Sequence, residues 1–235
     1  WLLEHYNNGL GACLADDMGL GKTLQTLSTL VAVQEKLEVE KAENIQLDLF
    51  GNEIPVAKEY LKDLIVLPSS LVFNWYNEAR KFTPHFRRIQ YVGQDRKLLS
   101  KKLAKYDLIF TSYAVVARDF SILEKYQFRY LILDESQYIK NKNSKIFKAI
   151  NQLQTTHKIS LSGTPIENSL DDLWSQMQFI NPNILGNYAF FTEHYKFPIE
   201  KKQDENSLAE LKTLVSPFIL RRTKEQVLKD LPELS

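Results

Sequence analysis

Residues 11–24 read GACLADDMGLGKTL, and this stretch decides the fold. It joins an apolar, strand-like run to two aspartates, a glycine-rich turn, Lys22 and Thr23. In such a turn, backbone N–H groups close around nucleotide phosphates, and the dipole of the helix that follows favours the anion. The lysine neutralises phosphate charge, and the threonine hydroxyl can ligate Mg²⁺. The stretch therefore predicts a phosphate-binding turn between a strand and a helix.

The cofactors that this turn predicts are ATP and Mg²⁺. The candidate nucleotide-binding residues are consecutive in the sequence: Asp17, Met18, Gly19, Leu20, Gly21, Lys22 and Thr23. The strict phosphate-loop pattern has a glycine five residues before Gly21, where this chain has Asp16. For this motif taken alone, an ordinary glycine-rich turn is the alternative.

Short apolar runs alternate with helix-like stretches along the rest of the chain. The runs span residues 11–15, 64–67, 89–92, 108–111, 130–133 and 159–161. This alternation predicts an α/β fold, a mostly parallel sheet with helices on both faces. After Lys22 the apolar residues recur close to a 3.6-residue period, so a helix is expected to begin at the glycines.

A second motif, Asp134-Glu135-Ser136-Gln137, follows the apolar run at 130–133. Ligands bind at the carboxyl edge of open α/β sheets, so both carboxylates are expected beside the phosphates. Asp134 would hold Mg²⁺ together with Thr23, and Glu135 would orient and deprotonate the attacking water. The candidate catalytic residues are Lys22, Asp134, Glu135 and Gln137. An Asp-Glu pair in isolation is as often a solvated acidic turn.

A third motif, Ser162-Gly163-Thr164, ends the run at 159–161. Its small residues can hydrogen-bond Gln137 and report the state of the γ-phosphate to the rest of the protein. Ser162, Gly163 and Thr164 are therefore the predicted coupling residues. On its own, the segment is also an ordinary exit from a strand into a turn.

Together these motifs resemble those of the Swi/Snf-related family of superfamily-two helicase-like ATPases. Residues 14–26 (LADDMGLGKTLQT) resemble motif I, residues 133–141 (LDESQYIKN) motif II, and residues 161–168 (LSGTPIEN) motif III. Residues 218–224 (FILRRTK) are similar to the segment by which the family returns from a helical protrusion. Many relatives carry histidine at Gln137; glutamine forms hydrogen bonds but does not titrate near neutrality.

The resemblance implies a RecA-like P-loop NTPase lobe with a small helical protrusion, and a DNA-stimulated ATPase that moves along double-stranded DNA. It also implies phosphate contacts with the tracked DNA strand at Pro68, Ser69, Ser70, Trp75, Thr111 and Ser112. Short hydroxyls and backbone amides suit contacts that slide without reading sequence. For Trp75, a partly buried helix position is the alternative.

The expected organisation is a lobe over residues 1–185, with a surface insertion at about 35–60, a helical protrusion over 186–217 and a return segment over 218–235. In the family, the return segment leads to a second RecA-like lobe that supplies an arginine finger. Loss of such a finger lowers the rate by roughly 10³ to 10⁵. This fragment alone is therefore expected to bind nucleotide weakly and to hydrolyse almost none, with the second lobe as its partner.

A short peptide in the expected insertion suggests a further partner. Residues Gln46, Leu47, Asp48, Leu49 and Phe50 resemble the peptide by which bacterial proteins bind the DNA sliding clamp. An exposed, flexible segment suits a docking peptide. The alternative is that the three apolar side chains of this peptide cover the lobe's own core.

The composition argues against several other classes of protein. No apolar run approaches the roughly 20 residues that cross a bilayer, and the amino end lacks a signal-peptide pattern. A cytoplasmic, nucleoid-associated location is therefore expected for a bacterial protein, and a nuclear one for a eukaryotic protein. The single cysteine, Cys13, can form no internal disulfide, and the four histidines lack metal-ligand spacing. The net charge of +1 neither requires nor excludes nucleic acid.

Two other functions remain open from the sequence. One is a helicase that separates DNA or RNA strands, against which the Arg221-Arg222 return segment argues. The other is a nucleotide-sensing interaction module that never hydrolyses ATP. The Asp134-Glu135 pair disfavours this second alternative, because binding alone requires no water-activating carboxylate.

Overall fold

The computed structural model describes residues 1–43, 62–163 and 169–229. The strands in these residues are β1 (Ala12–Leu14), β2 (Asp63–Leu67), β3 (Arg88–Gln90), β4 (Leu108–Ser112), β5 (Phe128–Leu133), β6 (Thr155–Leu161) and β7 (Ile219–Leu220). They form one sheet in the order β3-β4-β2-β5-β6-β1-β7, and every pairing between the described strands is parallel. The predicted α/β fold is confirmed, and each of the six predicted apolar runs coincides with a strand.

Helices occupy most of the chain between the strands. They are α1 (Leu2–Asn7), α2 (Lys22–Glu43), α3 (Val72–Phe82), α4 (Arg96–Ser100), α5 (Tyr113–Arg118), α6 (Phe120–Leu123), α7 (Lys145–Gln152), α8 (Leu170–Ile180), α9 (Tyr188–Phe191), α10 (Phe197–Lys202), α11 (Glu205–Val215) and α12 (Lys224–Lys229). Single 3₁₀ turns are found at Leu103–Lys105, Ser136–Ile139 and Ser216–Phe218, and a π-helical turn at Thr192–Lys196.

The sheet is buried on both faces because successive side chains of a strand point to opposite sides. On one face, Ile65 of β2 packs with α2 and α3 through residues such as Leu27 and Val72. On the other face, Leu64 packs with α5, α7 and α8 through residues such as Val116 and Ile150. Cys13 of β1 is fully buried in this second cluster, and burial raises the pKa of its thiol to about 11.

Helix α2 is longer than the sequence led us to expect. The insertion was expected to begin near residue 35, but the helix continues to Glu43. Residues 35–43 (EKLEVEKAE) are mostly good helix formers, which favours continuation of the helix through them. The rest of the expected insertion, including the clamp-like peptide at 46–50, lies outside the described residues.

Residues 186–217 are helical throughout most of their length and pack against the face of the sheet that carries α8. The apolar contacts come from Phe191, Tyr195, Leu211 and Val215. Lys196 also forms an ion pair of 2.6 Å with Asp171 of α8. After these helices the chain returns to the sheet as β7, which pairs with β1.

No helix in the described ranges is long and apolar enough to cross a membrane.

Candidate nucleotide-binding site

The glycine turn (residues 16–21) leads from β1 into α2 at the carboxyl edge of the sheet. Gly19 and Gly21 have φ angles of +90° and +74°, which other residues rarely adopt. Helix α2 begins at Lys22, so the free N–H groups of its first turn and the positive end of its dipole lie at the turn. The Lys22 ammonium donates to the carbonyl oxygens of Asp16, at 2.6 Å, and Asp17, at 3.2 Å. This geometry suits an anionic phosphate ligand.

The acidic pair (Asp134 and Glu135) directly follows β5, at the same edge of the sheet. Asp134 is buried, and its Oδ2 accepts a hydrogen bond of 2.8 Å from the indole nitrogen of Trp75. Its Oδ1 accepts the backbone N–H of Glu135 at 2.9 Å. Burial raises the pKa of Asp134, and the charge of Glu135 acts in the same direction, whereas the Trp75 hydrogen bond and the charge of Lys22 oppose the rise. The position of the Asp134 carboxylate is therefore fixed by several contacts.

Glu135 has a left-handed backbone, with φ 51° and ψ 53°. A non-glycine residue in this region is uncommon, and such strain is concentrated at functional sites. The Gln137 side chain donates from Nε2 to Glu135 Oε2 at 2.8 Å. Its Oε1 is a buried acceptor without a hydrogen-bond partner among the described residues. The amide thus holds the Glu135 carboxylate and keeps one oxygen available to another donor.

The third motif lies at the same edge of the sheet as the glycine turn and the acidic pair. A Cβ atom added to Gly163 would lie 3.0 Å from Met18 Cγ and 4.0 Å from Glu135 Oε1. Gly163 therefore lies near both the glycine turn and the acidic pair. Ser162 is buried, and its backbone N–H donates to Leu14 of β1 at 3.1 Å. The third predicted coupling residue, Thr164, lies outside the described residues.

Thr23 and Asp134 fit a magnesium ion by the chemistry of their donors. Both offer hard oxygen atoms, and the positive charge of Lys22 is near enough to Asp134 to influence its pKa. The described residues contain no group of three or more potential metal ligands from His, Cys, Asp and Glu. Mg²⁺ does not need one, because it commonly keeps water ligands and binds one or two carboxylates together with phosphate oxygens.

The expected DNA contacts fall into two groups in the structure. Ser69 and Ser70 are exposed and Pro68 is half-buried. Ser69 lines a groove of about 470 Å³ whose other walls include Gln94, Ser112 and Arg118. This groove combines hydroxyl groups with a guanidinium, which is the chemistry that binds a nucleic-acid backbone.

The other expected contacts are buried. Trp75 is 3% exposed and Thr111 is fully buried, with its hydroxyl donating to the Tyr91 carbonyl at 2.8 Å. The Ser112 hydroxyl caps α5 by accepting the Val115 N–H. The structure brings the Trp75 side chain to Asp134 rather than to the surface, which favours the alternative of a buried helix residue.

Sequence reasoning missed two sets of residues that support the site. One is an ion pair between Asp16, which is fully buried, and Arg222 in the return segment. The other is a buried polar cluster beneath motif II, in which Gln176 of α8 donates to the Ser136 carbonyl at 2.8 Å and Ser160 donates to Gln176 at 2.7 Å. The only sequence signal for either was Asp16 itself, in place of the expected glycine.

Comparison with known proteins gives one consistent family. The family model described as "SNF2-related domain" matches residues 1–235. The chain is 37% identical over 238 residues to the putative ATP-dependent helicase/translocase YwqA of Bacillus subtilis, a match that covers 99% of this chain and 24% of that protein. It is 36% identical over 247 residues to the TATA-binding protein-associated factor MOT1 of Saccharomyces cerevisiae, covering 99% of this chain and 13% of that protein.

A solved structure agrees with the sequence comparisons. The Sulfolobus solfataricus SWI2/SNF2 ATPase core in complex with dsDNA superimposes with a TM-score of 0.83 at 41% identity, covering 99% of this chain and 44% of that one. The chain thus spans about a quarter or less of the length of the curated relatives and under half of the solved core.

Proposed function

The chain belongs to the SNF2-related family, and on that premise we propose that it is the ATP-binding lobe of a DNA-dependent ATPase that moves along double-stranded DNA. The family comprises ATP-dependent helicases and ATPases with a RecA-like core. We propose in particular that the protein moves along a duplex without obligatory strand separation.

One observation carries the proposal. Gly163 of the third motif lies so near Met18 in the glycine turn and Glu135 in the acidic pair that an added Cβ atom would come within 4.0 Å of both side chains. The proposed phosphate-binding turn, water-activating carboxylate and γ-phosphate sensor therefore lie together at one edge of the sheet. Binding alone would require only the first of these groups, so the arrangement supports hydrolysis.

We assign each residue a separate role in that reaction. Lys22 and the N–H groups at the start of α2 bind the phosphates, and Gly19 and Gly21 allow the backbone to approach them. When bound, Mg²⁺ supplies positive charge to the phosphate oxygens, with Thr23 and Asp134 as its protein ligands. Glu135 orients the attacking water and accepts its proton, and Gln137 holds the Glu135 carboxylate.

The exposed side chains that line the groove, Ser69, Gln94 and Arg118, are the proposed site of contact with the DNA backbone. Their hydroxyl and guanidinium groups bind phosphates irrespective of base sequence, as tracking along DNA requires. The similar Sulfolobus core was solved with dsDNA, which supports duplex DNA as the substrate.

We also propose that hydrolysis requires a second RecA-like lobe of the same protein. In phosphoryl-transfer enzymes, an arginine finger stabilises the charge of the transition state, and its loss costs roughly 10³ to 10⁵ in rate. In the described residues, the glycine turn and acidic pair provide the binding and water-activating groups, and the finger is expected to come from the second lobe.

The full-length protein tests duplex translocation against strand separation. In the presence of ATP, we expect it to displace a third strand from a triplex while leaving the underlying duplex paired. Displacement of one strand of a simple forked duplex at a comparable rate would instead identify a strand-separating helicase. ATP turnover without either displacement would contradict translocation itself.

A further inference from the structure

We propose that Arg222 is a positioning residue for the glycine turn, through which the segment returning from the helical protrusion sets the affinity for ATP. This inference rests on the proposed function, because it takes the glycine turn to be the site of the ATP phosphates. Arg222 is the second residue after β7, at the point where the chain passes the turn.

Arg222 contacts a buried carboxylate, that of Asp16. Asp16 is fully buried, and it occupies the position where the strict phosphate-loop pattern has glycine. Arg222 forms an ion pair with Asp16 Oδ2 and donates to Oδ1 from its backbone N–H at 2.9 Å and from Nε at 3.2 Å. A buried carboxylate requires such partners. The position of Asp16 therefore depends on Arg222.

Arg222 also reaches the far side of the turn. Its Nη2 donates to Gln25 Oε1 at 2.7 Å, and Gln25 Nε2 donates to the Leu20 carbonyl at 2.8 Å. One guanidinium thus holds the turn at its entry through Asp16 and near its exit through Gln25. Only the planar fork of arginine offers several donors in fixed directions, so lysine cannot replace these contacts together.

Backbone hydrogen bonds on either side of Arg222 also join the return segment to the residues that precede the glycines. We call residues 220–224 the clasp. The N–H of Ala15 donates to the Leu220 carbonyl at 2.7 Å, and that of Asp17 donates to the Arg222 carbonyl at 3.1 Å. The N–H of Lys224 in turn donates to Asp17 Oδ2 at 3.1 Å. The clasp therefore runs alongside both aspartates that precede the glycines.

The clasp acts on nucleotide binding through Lys22. The Lys22 ammonium is held by the carbonyl oxygens of Asp16 and Asp17, the two residues that the clasp fixes. A shift of these carbonyls moves the charge that neutralises the phosphates. Because the same contacts serve the bound and reacting states, their loss is expected to weaken ATP binding more than it slows the chemical step.

The test is ATP turnover by the full-length protein with saturating duplex DNA, comparing Arg222→Lys with Arg80→Lys on α3. We expect Arg222→Lys to raise KM for ATP about tenfold, the effect of losing a hydrogen bond to a charged group, with a kcat change of less than about threefold. Arg80→Lys makes the same chemical change at an exposed position outside the clasp, and its KM should stay at the wild-type value.

A second variant separates positioning from stability. The pair Asp16→Asn with Arg222→Gln removes both charges, so its melting temperature should approach that of the wild type, while KM stays raised because the fork is absent. An unchanged KM in Arg222→Lys, or a KM that recovers together with the melting temperature in the double variant, overturns the inference. A wild-type protein that binds no ATP would instead contradict the proposed function.

Discussion

The indole nitrogen of Trp75 donates a hydrogen bond of 2.8 Å to Oδ2 of Asp134, which joins helix α3 to the acidic pair. The hydroxyl of Tyr113, at the start of α5, donates to the Asp134 carbonyl at 2.7 Å. Trp75 is itself one of the expected DNA contacts and Tyr113 directly follows another, Ser112; Ser69 and Ser112 line one groove. The candidate metal ligand Asp134 is therefore hydrogen-bonded to the two helices, α3 and α5, that follow the segments lining the groove.

Trp75→Phe keeps the buried ring but removes the N–H donor. We expect the Mg²⁺ concentration for half-maximal ATP turnover to rise about tenfold, since a hydrogen bond to a charged group contributes about 1.5–3 kcal/mol. Tyr76→Phe on the same helix also removes one polar group from an aromatic ring and serves as the control. Magnesium titrations of the full-length variants at fixed ATP check this, and equal Mg²⁺ requirements in the two variants would refute the role of Trp75.

Gly163→Ala places a methyl group between the glycine turn and the acidic pair. The nearest neighbour is Met18 Cγ at 3.0 Å, and the Met18 side chain is exposed and can move, so folding should be retained. We expect kcat to fall by roughly 10- to 100-fold, because small displacements of reacting groups have large effects on rate. Steady-state ATP turnover measures kcat, and the melting temperature of the same sample shows whether folding is retained. A wild-type kcat would show that this contact is not needed for hydrolysis.

Gly11→Ala, in contrast to Gly163→Ala, is expected to lower the stability of the fold. A Cβ atom at Gly11 would lie 2.2 Å from the carbonyl oxygen of Ile180, which is backbone and cannot swing aside. The side chain of Asn181 also binds Gly11 on both sides, accepting from its N–H at 2.8 Å and donating to its carbonyl at 2.9 Å. We expect destabilisation of about 3 kcal/mol or more, visible as a lower melting temperature or loss of soluble protein. A stable Gly11→Ala variant would mean that β1 and α8 are not packed as described.

Asp119 should make stability depend on pH. Burial raises the pKa of this carboxyl, but hydrogen bonds from Arg96 and Tyr91 outweigh burial and hold it below the ordinary value. Its contribution is therefore present above the unfolded pKa of about 3.9 and is lost as pH falls through the folded pKa. The destabilisation by Asp119→Asn should shrink between about pH 6 and pH 3.

Hydrogen exchange in α5 and α6 of the full-length protein, measured across this pH range, follows the local stability around Asp119. Asp95→Asn is the matched control, because Asp95 is exposed and its side chain makes no capping hydrogen bond to α4. If the protection lost in Asp119→Asn were the same at both ends of the pH range, the carboxylate would not contribute through its charge.

The strands and the two main motifs were predictable because their signals are local. The sequence of a strand that is buried on both faces is a short apolar run, and each of the six predicted runs coincides with a strand. The glycine turn and the acidic pair are likewise defined by neighbouring residues. The order of the strands depends on pairing between distant segments, which no local pattern records.

The parts of the site that could not be predicted depend on tertiary contacts. Whether Trp75 contacts DNA or Asp134 depends on which face of α3 points inward, and the sequence alone does not determine that face. Asp16 and Arg222 are 206 positions apart, so nothing near Asp16 identifies its partner. Gln25 lies within motif I, but its role as a bridge emerges only when Arg222 is brought beside it.

The most direct measurement is ATP turnover by the full-length protein with and without duplex DNA, beside a Glu135→Gln variant. The amide keeps the size of the side chain but cannot accept a proton from water. We predict turnover that duplex DNA stimulates in the wild type, and none in Glu135→Gln, which should still bind ATP and DNA. Nucleotide binding without turnover in the wild type, whatever nucleic acid is added, would contradict a DNA-dependent ATPase, as would full turnover in Glu135→Gln.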